Sequence, residues 1–166
     1  MVGSIKSNIA ILCLSNNYSK YLGKMLADDL DMFFANISDI LEYNLVDNNM
    51  LETAGKEYFD AQKERVINSI CQYDNSVICG TLEILLNSAN LIKNKSLLIY
   101  FDLDKKLIEK YEKNDKNSKF FIKDITYLQE DQLCKQTADI VAVVKDDEKQ
   151  DIQNIKQLIL DYYKES

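Results

Sequence analysis

The stretch most suggestive of chemistry is "LSNNYSKY", Leu14–Tyr21, a polar turn that ends in Lys20 and Tyr21. It follows the apolar run Ile9–Leu14 and leads into a segment where Tyr21, Leu22, Met25, Leu26 and Leu30 recur at spacings of three and four. Strand, turn and helix in that order lay out a phosphate-binding loop, in which helix amides, the positive end of the helix dipole and a lysine meet an anion. The loop nonetheless contains no glycine. Glycine is needed there because backbone amides must turn inward around phosphate oxygens with no Cβ in the way. Asn16 and Asn17 offset part of that loss, since asparagine tolerates positive φ better than most residues. These features leave room for weak anion binding and no more. A lone lysine at a helix start otherwise reads as a solvated charge, and for Lys20 that is the plainer reading.

Other reactive groups are sparse. The chain has no histidine, no proline, no tryptophan and one arginine, Arg65. Cys13, Cys71, Cys79 and Cys134 are scattered without a C-x-x-C pair, which points to core packing rather than a zinc site or a disulfide framework. Asp39, Glu42 and the lysines near Lys119 are the charged groups that a site displaced from the loop would have to use.

The elements that must position these residues follow from hydrophobic period. Short apolar runs at Ile9–Leu14, Met32–Ala35, Val77–Cys79, Ser96–Phe101 and Ile140–Val144 read as strands covered on both faces. Helical segments alternate with them, which is the α/β signature. Met50 to Gln72 reads as a long helix or a broken pair with Phe59, Val66, Ile67 and Ile70 inward, and Leu158, Ile159, Tyr162 and Tyr163 close a helix begun after Asp146–Asp147. Tyr111–Asp124, "YEKNDKNSKFFIKD", reads as a lysine- and asparagine-rich mobile excursion.

Composition narrows the class. At 166 residues and 46% apolar content, the chain is expected to form one globular domain. A net charge of −7, from 27 acids against 20 bases, argues against a nucleic-acid or anionic-membrane surface. Ile9–Leu14 falls far short of the roughly 20 apolar residues that span a bilayer, so a cytoplasmic protein is expected.

The order of these pieces resembles the shikimate kinase family, small P-loop phosphotransferases, from about Ile9 to Tyr163. "DDLDMFF" sits where the family's Phe-rich second strand begins, and Gly55 and Phe59 in "AGKEYFDAQKE" match its Gly-x-x-x-Phe helix start. The "SVICG", "LLIYFDL" and "TADIVAVV" strands follow at suitable intervals, the last being the most specific. The resemblance implies one domain over 1–166 with a lid-like excursion at about 111–128. Its fold would be three-layered and P-loop kinase-like, with a five-stranded parallel sheet flanked by helices and the first strand central.

The family's functional residues are mostly replaced. Against G-x-x-x-x-G-K-[ST], Leu14 stands for the first glycine, Ser19 for the second and Tyr21 for the hydroxyl residue, leaving Lys20 in agreement. The Asp-x-Asp ending the family's second strand falls on Asn36 and Ser38 in "FFANISDILE". Where the family has Phe-Arg facing the substrate carboxylate, this chain has Phe59 and Asp60. Of three glycines after the third strand only Gly80 remains; the lid arginine falls near Ser118 or Lys119, and a later arginine falls at Glu130.

Three readings follow. The preferred one is a shikimate kinase-like protein that has lost ATP-dependent phosphorylation of shikimate and is retained as a non-catalytic binding or regulatory protein, with an unspecified protein or small-molecule partner. It needs no cofactor and no metal. Its vestigial nucleotide side would be Asn16, Asn17, Ser19, Lys20 and Tyr21, and its vestigial acceptor side Asn36, Ser38, Asp60, Gly80 and Glu130. The second is an active small-molecule kinase with a non-standard P-loop, using ATP and Mg²⁺ on shikimate or another acceptor and recruiting Lys20, Asp39, Glu42 and lysines near Lys119. The third is a small-molecule binder whose acceptor cleft, inverted in polarity by Asp60 and Glu130 and lined by some of the ten tyrosines, would suit a cation.

Overall fold

Asn8–Cys13 (NIAILC) forms β1, and all six of its residues are buried, as the centre of a sheet covered on both faces requires. The computed structural model describes residues 5–113 and 124–165. After β1 come α1 (Asn16–Leu30), β2 (Phe33–Asn36), α2 (Ile37–Tyr43), α3 (Asn48–Ala54), α4 (Lys56–Cys71) and β3 (Ser76–Cys79). Then follow α5 (Leu82–Asn87), α6 (Ala89–Ile92), β4 (Ser96–Asp102), α7 (Lys105–Glu112), α8 (Asp124–Thr137), β5 (Ile140–Val143) and α9 (Glu148–Glu165).

The five strands form one parallel sheet in the order β2-β3-β1-β4-β5, with β1 in the middle as expected. Strand residues alternate between two cores because successive side chains point to opposite faces. Ile9, Ile11 and Cys13 of β1, with Leu97, Ile99 and Phe101 of β4, pack against Leu22 and Leu26 of α1 and Ile152 and Ile155 of α9. Ala10, Leu12, Leu98 and Tyr100 face the opposite core, built with Ile37, Leu41, Val66, Ile70, Leu85, Ile92 and Cys134.

The five strands fall where the apolar runs place them, with ends shifted by a residue or so. The expectation that each is covered on both faces holds for β1, β3 and β4. It fails for the edges: Phe33 of β2 is 72% exposed and Val143 of β5 is 53% exposed. The Met50–Gln72 segment is a broken pair. Gly55 between α3 and α4 takes φ +89°, with open space around its missing Cβ, so backbone conformation and not crowding demands glycine there. All four cysteines are buried and unpaired, in keeping with core packing.

Of the stretch expected to form an excursion, Tyr111 and Glu112 belong to α7 and Asp124 opens α8. Residues 114–123, with Ser118 and Lys119, lie outside the described residues. Among the described residues no helix is long and apolar enough to cross a membrane.

Candidate functional site

In an open parallel sheet, ligands bind beyond the carboxyl ends of the strands, where the order of connections reverses. Here that place lies above β1, whose partners are β3 on one side and β4 on the other. Leu14 and Ser15 alone separate β1 from α1. Ser15 is the N-cap: its Oγ accepts a hydrogen bond from the Tyr18 amide at 3.1 Å, while the Ser19 amide donates to the Ser15 carbonyl at 3.0 Å. Asn16–Lys20 is therefore helix, where a phosphate loop would arch.

A carboxylate of the chain itself occupies the mouth of that helix. Glu112, the last residue of α7, accepts from Ser15 Oγ at 2.5 Å and from the Asn17 amide at 3.2 Å. Asn17 Nδ2 reaches the second Glu112 oxygen at 3.4 Å and the Tyr111 carbonyl at 3.0 Å. Next to it, Tyr18 is 1% exposed, meets the Tyr111 ring edge-on at 4.7 Å and donates through its hydroxyl to Asp151 Oδ2 at 3.3 Å. Asp151, itself buried, also accepts from the amides of Lys145 at 3.0 Å and Asp147 at 3.1 Å. The Tyr111 hydroxyl and the Lys110 ammonium both turn to Asp146, and these two partners hold the Asp146 carboxyl below its usual range. Burial pushes the Tyr111 phenol up to about 12, with the Asp146 hydrogen bond adding to it. Tyr21 lies over the same cluster, its ring 6.3 Å from that of Tyr111.

Lys20 turns away from the helix mouth and pairs with Asp39 at 2.9 Å, both side chains about half exposed. Asn36 caps α2 by accepting from the Asp39 amide at 3.2 Å, and its Nδ2 contacts Cys79 Sγ at 3.5 Å. Burial drives the Cys79 thiol up to about 12, opposed by Ser19 and Asn36 beside it. Ser19 Oγ is fully buried and, among the described residues, lacks a partner of good hydrogen-bond geometry. Ser38 stands in the first turn of α2, and Glu42 is exposed further along it. A Cβ on Gly80 would lie 3.0 Å from Ile37 Cβ, so this glycine serves the close approach of the turn after β3 to α2.

The two acids expected to invert the acceptor cleft sit on different elements, Asp60 on α4 and Glu130 on α8. Asp60 pairs with Lys56 one turn earlier at 2.7 Å and lines a groove between α4 and α6 with Lys63, Asn68 and Asn87. Glu130 sits half-buried on α8, its carboxyl pushed up by burial. One residue on, Asp131 accepts from the Tyr100 hydroxyl at 2.7 Å and pairs with Lys135 at 2.9 Å. Among the described residues no cluster of three or more His, Cys, Asp or Glu is arranged to hold a metal. The donor set fits magnesium poorly: Tyr21, Asn36 and Ser38 supply neutral oxygens where Mg²⁺ takes carboxylates and small hydroxyls.

Sequence reasoning missed Glu112 and Asp151. Glu112 carries no motif at all; Asp151, four residues after Asp147 at a helix start, has at most the look of a capping residue.

A β1 turn leading into a helix over the carboxyl edge of a 2-3-1-4-5 parallel sheet places the protein among the P-loop-type small-molecule kinase folds. The chain belongs to the shikimate kinase family, whose description its residues 20–162 match. That match begins at Lys20, after most of the loop. The shikimate kinase of Aquifex aeolicus is similar in structure, with a TM-score of 0.69 and 15% identity over 93% of this chain and 96% of that one. The Acinetobacter baumannii enzyme in complex with shikimate gives 0.71 and 18%, covering 94% of each. A sugar kinase from Janibacter sp. HTCC2649 gives 0.57 and 11%, covering 95% of this chain and 96% of that one. Identities this low carry the fold alone. No curated protein sequence matches the chain.

Proposed function

We propose that this member of the shikimate kinase family does not transfer a phosphoryl group from ATP to shikimate and serves as a non-catalytic binding or regulatory protein. The observation that carries the reading is the start of α1 at Asn16 with the Glu112 carboxylate seated on it. An incoming phosphate would meet a negative charge where it needs inward-facing amides. Phosphoryl transfer is almost entirely positioning and charge stabilisation, in which metal and cationic groups are worth several powers of ten in rate. Lys20, the one matching cation, has its charge compensated by Asp39. Asn36 and Ser38 carry no charge where the resemblance calls for two aspartates, and Asp60 and Glu130 replace cations that would attract a carboxylate substrate. Each replacement weakens a different part of the reaction, so recovery of one leaves the others wanting.

The test is product formation from shikimate and ATP–Mg²⁺ by the wild-type protein, with isothermal titration of ATP–Mg²⁺ beside it. No product above the uncatalysed background and no saturable heat are expected. Turnover by the unmodified chain would refute the reading.

A further inference from the structure

We propose that Glu112 is an internal occupant of the anion position at the start of α1, and that α7 acts through it as an autoinhibitory latch on that position. The inference rests on the preceding reading, that the nucleotide side of the cleft has been taken over by the chain's own groups. It adds the element that must move to free the site and the competition between Glu112 and an external anion.

The charge pattern of the two helices supports it. A carboxylate is unfavourable at the C-terminal end of a helix and favourable at the N-terminal end, because of the backbone dipole. Glu112 is the last residue of α7, the wrong end of its own helix, while α1 has no acidic residue in its first turn. The mismatch in each helix is resolved by the other: the carboxylate that α7 disfavours lies on the positive end of α1, on the Ser15 hydroxyl and the Asn17 amide. Charge-assisted hydrogen bonds of this kind are about twice as strong as neutral ones.

The latch is held by more than one carboxylate. Ile108 anchors α7 in the core at 2% exposure. Tyr111 wedges against Tyr18, and its carbonyl takes the Asn17 side chain. Lys110 and Tyr111 tie the same turn to Asp146, ahead of α9. A tethered carboxylate competes with a free anion at a high effective concentration. External phosphate therefore gains access only when the last turn of α7 is displaced, which uncovers Ser15 and Asn17 together.

The test follows the Asn17 and Tyr18 amide resonances of ¹⁵N-labelled protein during titration with inorganic phosphate. Wild type is expected to respond weakly, and Glu112→Ala to bind phosphate at least about tenfold more tightly at those amides. Glu112→Gln keeps the length and drops the charge, so it should fall between them; it carries the same comparison should the alanine variant not fold. Adding Ser15→Ala to Glu112→Ala should abolish the gain. Glu109→Gln, an equal change of net charge on an exposed position of the same helix, should leave the wild-type response. Equal phosphate affinity in wild type and Glu112→Ala, or an equal gain in Glu109→Gln, overturns the latch. Shikimate turnover by wild type overturns the loss of transfer and leaves the latch to be judged by the phosphate titration, so the two failures are distinguishable.

Discussion

Replacing Asp151 by alanine should destabilise the protein by an amount the hydrogen bonds around it define. Its carboxylate is 2% exposed and accepts from the Lys145 amide at 3.0 Å, the Asp147 amide at 3.1 Å and the Tyr18 hydroxyl at 3.3 Å. Removing the acceptor leaves three donors, of unequal cost. Lys145 and Asp147 are exposed residues whose amides can turn to water, so each should lose about 0.5–1 kcal/mol. The Tyr18 hydroxyl, on a residue 1% exposed, has no such recourse and should lose roughly 1–2 kcal/mol. The sum is roughly 2–4 kcal/mol. For a chain of this size each kcal/mol lowers Tm by about 2–4 °C, which gives a fall of roughly 4–16 °C in a thermal melt. Tyr18→Phe removes the donor along with its need, so it should cost less than about 1 kcal/mol and should rescue part of the Asp151→Ala loss in the double variant. An Asp151→Ala melt within about 2 °C of wild type, or strict additivity of the two substitutions, would refute the reasoning.

Glu130 offers a pH test. Burial raises its folded-state pKa above the ordinary 4.5, so the stability linked to its protonated form is fully present below the unfolded value and is lost as pH rises through the folded one. Glu130→Gln should therefore raise Tm at neutral pH, and the gain should vanish in melts at acid pH. Restoring the loop tests the donor side: Leu14→Gly, Ser19→Gly and Tyr21→Ser together should still leave Tm unmoved by millimolar ATP–Mg²⁺, because Glu112 remains in place at the start of α1. Adding Glu112→Ala should produce a ligand-dependent rise in Tm, with no shikimate phosphorylated by either variant, since Asn36 and Ser38 supply no carboxylate. Product from the four-fold variant would show that the acceptor residues lie elsewhere.

The layered sheet was legible in the chain because it rests on local pattern. Ser96–Phe101 can be nothing but a buried strand once its apolar run exceeds one face, and the period of Leu22, Met25, Leu26 and Leu30 places α1 against the sheet. The pattern over Met50–Gln72 left open one helix or two, and the positive φ of Gly55 that divides them belongs to the structure. The missing loop glycines, too, could be read directly, since a P-loop is a contiguous motif. Edge exposure at Phe33 and Val143 could not, because an apolar run reports that a strand is apolar and not how many neighbours cover it.

By itself, then, the amino-acid sequence determined the parallel α/β architecture and the family. Which side chain meets the start of α1 was decided by the tertiary structure alone. Glu112 meets Asn17 across 95 residues, and Asp151 meets Tyr18 across 133. The physical reason is that periodicity states which face of an element is buried, whereas a hydrogen bond or an ion pair depends on which distant element lies opposite. That partner is chosen by the packing of whole helices on the sheet, and no spacing along the chain encodes it.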